Sequence, residues 1–223
     1  MGGGSLISKT PIGRALKRYP FVLLSPSYVL MKGPGQGYPR QFDDCYATLE
    51  YALAHEKELH FDKNKIIIAG DSAGGNLAVA VTFKAIDNKI PILAHIPLYP
   101  MLSAEETSTN FSANTHIWNG EKNRKAWAYY LSGLQSDIPD YASPSLRKDL
   151  KGMPPCYTFV SDLEPFYQET MDYIEKLKKA GVEASVDVFH ANSHGFDLLY
   201  PFTKNARAAV KAYFAHLEDF LSR

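Results

Sequence analysis

Five consecutive residues, Gly70-Asp71-Ser72-Ala73-Gly74, set a serine between glycines, directly after the apolar run 65–69 (KIIIA) and directly before a segment of helical periodicity. A serine on so tight a strand-to-helix turn sits in a strained backbone with its hydroxyl aimed into open space. Side chains at Gly70 or Gly74 are expected to collide with neighbouring backbone. The helix that follows presents free N–H groups and the positive end of its dipole to a developing negative charge. The chemistry this suits is nucleophilic attack on a carbonyl carbon, with Ser72 as the nucleophile.

A hydroxyl needs a base, and the base needs a carboxylate to orient it. When the nucleophile sits on such an elbow, the acid and then the histidine follow it along the chain. His194, in Asn192-Ser193-His194-Gly195-Phe196, lies just past the last strand-like run, where a loop can bring it over the serine. His55, His60, His95, His116, His190 and His216 fit surface or hydrogen-bonded core positions better. For the acid, the loop after the run 156–160 (CYTFV) offers Asp162 and Glu164. Glu164 is favoured, and Asp162 is the alternative that could instead cap a helix or shape the loop.

The elements that must hold these residues alternate. Strand-like runs at 21–25 (FVLLS), 65–69, 92–98, 156–160 and 184–189 take turns with helical periodicity at 41–58, 77–86, 167–179 and 205–221. Alternation of this kind predicts an α/β fold, a mostly parallel sheet covered by helices on both faces. The 223 residues read as a single domain. One stretch, about 101–150, interrupts the pattern with Trp118, Trp127, Tyr129, Tyr130 and Tyr141 and a helix at 122–131. It is expected to be a cap-like insertion over the site.

Bulk properties narrow the function classes. Lys plus Arg and Asp plus Glu are 24 each, so no basic field exists to hold a nucleic acid. Cys45 and Cys156 are too few for a disulfide framework or a metal site and read as buried free thiols. No apolar run of about 18 residues suggests a membrane span, and the first residues lack a signal-peptide pattern. A cytoplasmic location is the expectation. The sequon at Asn110 carries no weight.

Beyond the elbow, the chain continues as Gly75-Asn76-Leu77-Ala78 and carries Ser143-Pro144, Met153-Pro154-Pro155 and His194-Gly195-Phe196. With these motifs it resembles the hormone-sensitive-lipase-like family of α/β hydrolases, which includes many bacterial esterases, from Gly2 to its end. The resemblance implies an α/β-hydrolase fold and carboxylester hydrolysis by Ser72, His194 and Glu164. The expected partners are small-molecule esters of short to medium acyl chain, with no metal or organic cofactor. Glu164 stands where the family more often has Asp. The family's oxyanion loop is His-Gly-Gly-Gly; here Gly2-Gly3-Gly4 matches and Met1 replaces the histidine. By that analogy the amides of Gly3, Gly4 and Ala73 form the oxyanion hole.

Two departures qualify the resemblance. Ser27-Tyr28-Val29-Leu30 stands where the family has a Tyr-Arg-Leu segment, so its arginine is absent. The N-terminal strands and cap helices, including a strand between 21–25 and 65–69, are also expected to be missing. Their loss would leave unpaired backbone groups in a buried sheet, each costing roughly 1–3 kcal/mol. The alternatives that follow are a catalytically impaired ligand-binding protein on a hydrolase scaffold, or an inactive truncated fragment. A homodimer formed through the exposed sheet edge is a further expectation.

Overall fold

The computed structural model describes residues 10–15 and 18–223. Among them lie four strands, β1 (Ile67–Asp71), β2 (Ala94–Leu98), β3 (Cys156–Ser161) and β4 (Ala184–Phe189). They form one sheet in the order β1-β2-β3-β4, every pair parallel. In register, Ile67 lies opposite Ala94 and Asp71 opposite Leu98, while Cys156 lies opposite Ala184 and Ser161 opposite Phe189. The strand ends from which the chemistry-bearing loops leave are thereby brought to one edge of the sheet.

Period-two alternation along β1 and β2 sorts side chains between two helical layers. Ile67 and Ala69, with Ala94, Ile96 and Leu98, face Tyr213, Leu217 and Phe220 of α8 (Lys204–Leu221). Residues Ile66 and Ile68 face the opposite way, toward α2 (Arg40–Ala54) and α4 (Ala73–Asp87). α4 is wedged between the sheet and α2, so nearly all of its middle is buried rather than one stripe. α6 (Tyr167–Lys179) and β4 have the ends that the periodicity predicts. Both faces of the sheet are covered, as a parallel sheet requires.

Several boundaries and one element differ from the sequence reading, among them β2, which begins at Ala94, and α5, which begins at Gly120. The helix expected over 41–58 is α2 followed by the single turn α3 (Glu56–Leu59), with a break at His55. β1 begins two residues later than expected, and α4 begins directly at Ala73. The strand expected at 21–25 is absent. Those residues run as extended coil, with Phe21 packed beside the α8 cluster and Tyr28 beside the α2–α4 cluster. An apolar alternation specifies burial, whereas a strand needs a paired backbone. No neighbour supplies one, and β1 is an edge strand of the sheet among the described residues.

The excursion between β2 and β3 contains α5 (Gly120–Leu131). Trp127, Tyr130 and Ala126 of α5 pack with Met101, Ala142 and Phe166 into a small core of their own. Arg147 ties the end of this excursion to α4, donating to Asp87 at 2.6 and 3.1 Å and to Asp140 at 2.6 Å, its guanidinium 4.2 Å above the Phe83 ring. Cys156 is buried, Cys45 is half-buried, and both are free thiols. No described helix is long and apolar enough to cross a membrane.

Candidate active site

Ser72 occupies the one residue between β1 and α4, with φ +59° and ψ −118°. That conformation is costly for any residue with a β-carbon and persists because its surroundings hold it from several sides. The Ser72 amide donates to the Leu98 carbonyl at 2.9 Å. Its own carbonyl accepts from the amides of Asn76 and Met101, both at 3.2 Å. The buried Asn76 side chain donates to the carbonyls of Met101 (2.8 Å) and Ala142 (3.1 Å), joining the turn to the excursion.

The glycine requirement is partly as expected and partly displaced. A β-carbon at Gly70 would overlap the Gly74 carbonyl. One at Gly74 would meet nothing within 4 Å, contrary to the expectation for that position. The second close approach belongs to Gly75, where a β-carbon would fall 2.8–2.9 Å from Pro100. It is the strand-end loop, packed on the first turn of α4, that excludes a side chain there.

His194 leaves the loop after β4, just ahead of the single turn α7 (Phe196–Leu199), and Gly195 makes the sharp entry with φ +66°. The His194 Nε2 lies 2.8 Å from the Ser72 Oγ. The other ring nitrogen, Nδ1, is hydrogen-bonded to the Glu164 Oε2. A carboxylate can only accept there, so Nδ1 carries the proton and Nε2 is left as the acceptor for the hydroxyl. Glu164 is 1% exposed, and its Oε1 accepts from the Ser161 amide at 3.3 Å. Tyr99 and Phe166 stand edge-on to the imidazole, each with its centroid 5.0 Å away, and fix the ring plane.

Of the two carboxylates left open by sequence, Asp162 bonds instead to the Nδ1 of His190, at 2.8 Å, on the exposed side of the loop. His95 is a core residue of β2, bonded to the Tyr173 hydroxyl at 2.8 Å and the Pro155 carbonyl at 3.2 Å. Burial lowers its pKa to about 4. His216 stacks on Tyr157 with centroids 3.8 Å apart. Neither approaches the serine's partners.

Gly3 and Gly4, expected in the oxyanion hole with Ala73, lie outside the described residues, as does Met1. Ala73 is the first residue of α4, so its amide has no acceptor within the helix. Beside it opens a cavity of about 270 Å³, lined by Ala73, Leu77, Met101, Trp127, Tyr130 and Tyr28 among others. The excursion thus supplies part of the cavity wall. No group of three His, Cys, Asp or Glu residues among those described is arranged to hold a metal ion.

Sequence reasoning missed four residues that touch or adjoin this arrangement: Tyr99, Phe166, Asp71 and Asp197. Asp197 is a fully buried carboxyl, and Asp71 is half-buried with its Oδ1 enclosed. Burial, with the charge of Asp197 as a smaller contribution, raises Asp71 to about 7; burial raises Asp197 to about 6. Their positions, one before Ser72 and three after His194, were the available signal.

Comparison with known proteins matches residues 3–198 to a family described by the alpha/beta hydrolase fold. A carboxylesterase of Mycobacterium tuberculosis, NlhH, is 29% identical over 201 residues, which are 86% of this chain and 62% of that protein. The solved structure of a bacterial heroin esterase superposes with a TM-score of 0.79 at 30% identity, covering 87% of this chain and 63% of that one. The esterase LipW from Mycobacterium marinum superposes with a TM-score of 0.82 at 27% identity, covering 88% and 62%. The chain spans about three fifths of the length of these relatives. The family match extends over most of the chain and includes the serine turn, the carboxylate loop and the histidine, so this protein belongs to the hormone-sensitive-lipase-like family of the α/β-hydrolase fold.

Proposed function

We propose that this chain hydrolyses carboxylic esters with Ser72 as nucleophile, His194 as general base and acid, and Glu164 as the carboxylate that orients the imidazole. The observation that carries this reading is the single hydrogen-bonded line from the Ser72 Oγ through both nitrogens of His194 to Glu164. The Ser72 hydroxyl attacks the ester carbonyl as the His194 Nε2 takes its proton, and Glu164 stabilises the imidazolium that forms. The amide of Ala73 receives the oxyanion; Gly3 and Gly4, the further donors that the resemblance implies, lie outside the described residues. Removal of one such donor typically costs 100- to 1000-fold in turnover. His194 then returns the proton to the leaving alcohol, and water repeats the sequence on the acyl-enzyme to release the acid.

The substrate class follows from the wall of the neighbouring cavity. A volume of about 270 Å³ lined by Leu77, Met101, Trp127 and Tyr130 suits a short to medium acyl chain. The esterases among its relatives support ester cleavage as the reaction.

Intact mass after exposure to a fluorophosphonate tests the assignment, because the adduct needs the elbow, the aligned base and the oxyanion donors together. One adduct per chain, absent in Ser72→Ala, is the expected result. A folded protein that takes up no label would overturn the reading and favour a ligand-binding role.

A further inference from the structure

A cavity built for a purely apolar chain needs no cations at its mouth, yet the one beside Ala73 has them. Among the described residues, the charged side chains that line it are Lys122 and Lys125, and no Asp or Glu does. Both lysines stand on α5, three residues apart and therefore on one face, with Ala126 and Tyr129 completing the stripe. Arg124, between them in the sequence, turns away and places its guanidinium 4.8 Å from the centre of the Phe111 ring. α1 (Pro11–Ala15), which carries Arg14, packs through Ala15 into the α8 cluster and adds no charge to this wall.

Neither ammonium is ion-paired among the described residues. The Lys122 Nζ donates to the Ile117 carbonyl at 2.9 Å, which steadies it and leaves donors to spare for another acceptor. The Lys125 Nζ lies 5.6 Å from the centre of the Tyr129 ring. Neighbouring acids do not neutralise the pair: Glu121 lines no part of the cavity, and Asp44 accepts from the Val29 amide at 2.9 Å. Helix stability does not account for Lys122 either. It sits in the first turn of α5, where the helix end favours acidic side chains over basic ones. Below the lysines the wall is apolar, with Leu77, Met101 and Trp127 all buried. Walls of low polarity focus the field of such cations into the space between them.

Resting on the ester-hydrolase reading, we propose that Lys122 and Lys125 are specificity-determining residues for esters whose acyl chain ends in a carboxylate. The ester carbonyl lies at Ser72 and Ala73, the methylene stem runs along Leu77, Met101 and Trp127, and the terminal carboxylate meets the two ammonium groups. Water is added across the ester bond, and the products are the alcohol and a dicarboxylic acid. A chain with a cationic end is repelled, and one with a neutral end gains nothing from the lysines.

The test compares kcat/KM for the p-nitrophenyl monoester of adipic acid with that for p-nitrophenyl adipamate, whose terminal carboxamide keeps the size and removes the charge. The wild type is expected to prefer the anionic ester by about tenfold, as charge complementarity at a partly solvated site allows. That preference should shrink as NaCl is raised from about 20 to about 500 mM. Lys122→Gln with Lys125→Gln should abolish it, and Lys122→Arg, which keeps the charge, should retain most of it. A wild type without the preference, or a double glutamine variant that keeps it, overturns the proposal. Binding without turnover is read in Ser72→Ala from the fluorescence of Trp118 and Trp127, both of which line the cavity, on titration with monomethyl adipate. A saturable change that the double glutamine substitution removes is expected, and no change overturns the proposal. A wild type that cleaves neither ester, beside a Ser72→Ala protein that still binds the monoester through its lysines, would sink the ester reading and uphold the anion-selective cavity.

Discussion

Glu164 and Asp162 leave the end of β3 two residues apart, yet they serve different histidines. Glu164 turns inward to the Nδ1 of His194, while Asp162 stays at the rim and pairs with His190, whose side chain is 79% exposed. The separation comes from burial. The inward carboxylate is 1% exposed and accepts from the Ser161 amide, while Phe166 stands edge-on to the one histidine it serves.

This division predicts unequal effects from two similar substitutions. Glu164→Gln should lower kcat by about 10⁴-fold, because an amide can hold His194 in the wrong tautomer. Asp162→Asn should change kcat less than about twofold, since an exposed pair contributes little. Steady-state kinetics on a p-nitrophenyl ester check both. Equal losses would remove Glu164 from the proposed triad.

The two glycines after Ala73 should also behave differently. Gly75→Ala places a methyl against Pro100 and should destabilise the fold by about 1–3 kcal/mol, as overpacking does. Gly74→Ala enters open space in the first turn of α4 and should be neutral or stabilising by up to about 1 kcal/mol. Urea midpoints of the two variants decide the matter.

A buried carboxyl away from the triad makes a prediction about stability and pH. Burial raises Glu169 to about 8, against the opposing donation of the Leu102 amide at 2.5 Å and Asn110 at 3.3 Å. Because its folded value lies above the unfolded one near 4.3, the folded state binds more protons across that interval. Its contribution is complete below about pH 4 and is lost as pH rises through about 8. Asp71, raised to about 7, acts in the same direction over a narrower window. The wild type should therefore weaken from pH 5 to pH 9, and Glu169→Gln should weaken less over that interval. Denaturant midpoints at the two pH values would contradict this if both proteins changed equally.

The cavity wall sets the last prediction. Trp127 is 3% exposed and faces the space beside Ala73. Trp127→Leu should raise the ratio of kcat/KM for an octanoyl over a butyryl ester by about tenfold, the discrimination available from an apolar pocket. An unchanged ratio would place the acyl chain elsewhere.

By itself the sequence determined the alternation of strands and helices, the ends of α6 and β4, and the serine turn with its flanking glycine at position 70. These are local properties: burial periodicity, helix stops and the space a turn leaves for a β-carbon can all be read from neighbours along the chain. Tertiary structure decided which carboxylate reaches His194, that Gly75 rather than Gly74 is packed against backbone, and that 21–25 has no strand to pair with. It also decided that the carboxyl of Asp197, three residues after His194, is fully buried, whereas that of Asp71, beside Ser72, is half-buried. Each of these depends on which side chains and backbone groups meet through space. Two carboxylates two residues apart look alike in one dimension and become different only when one is buried and the other is left in water.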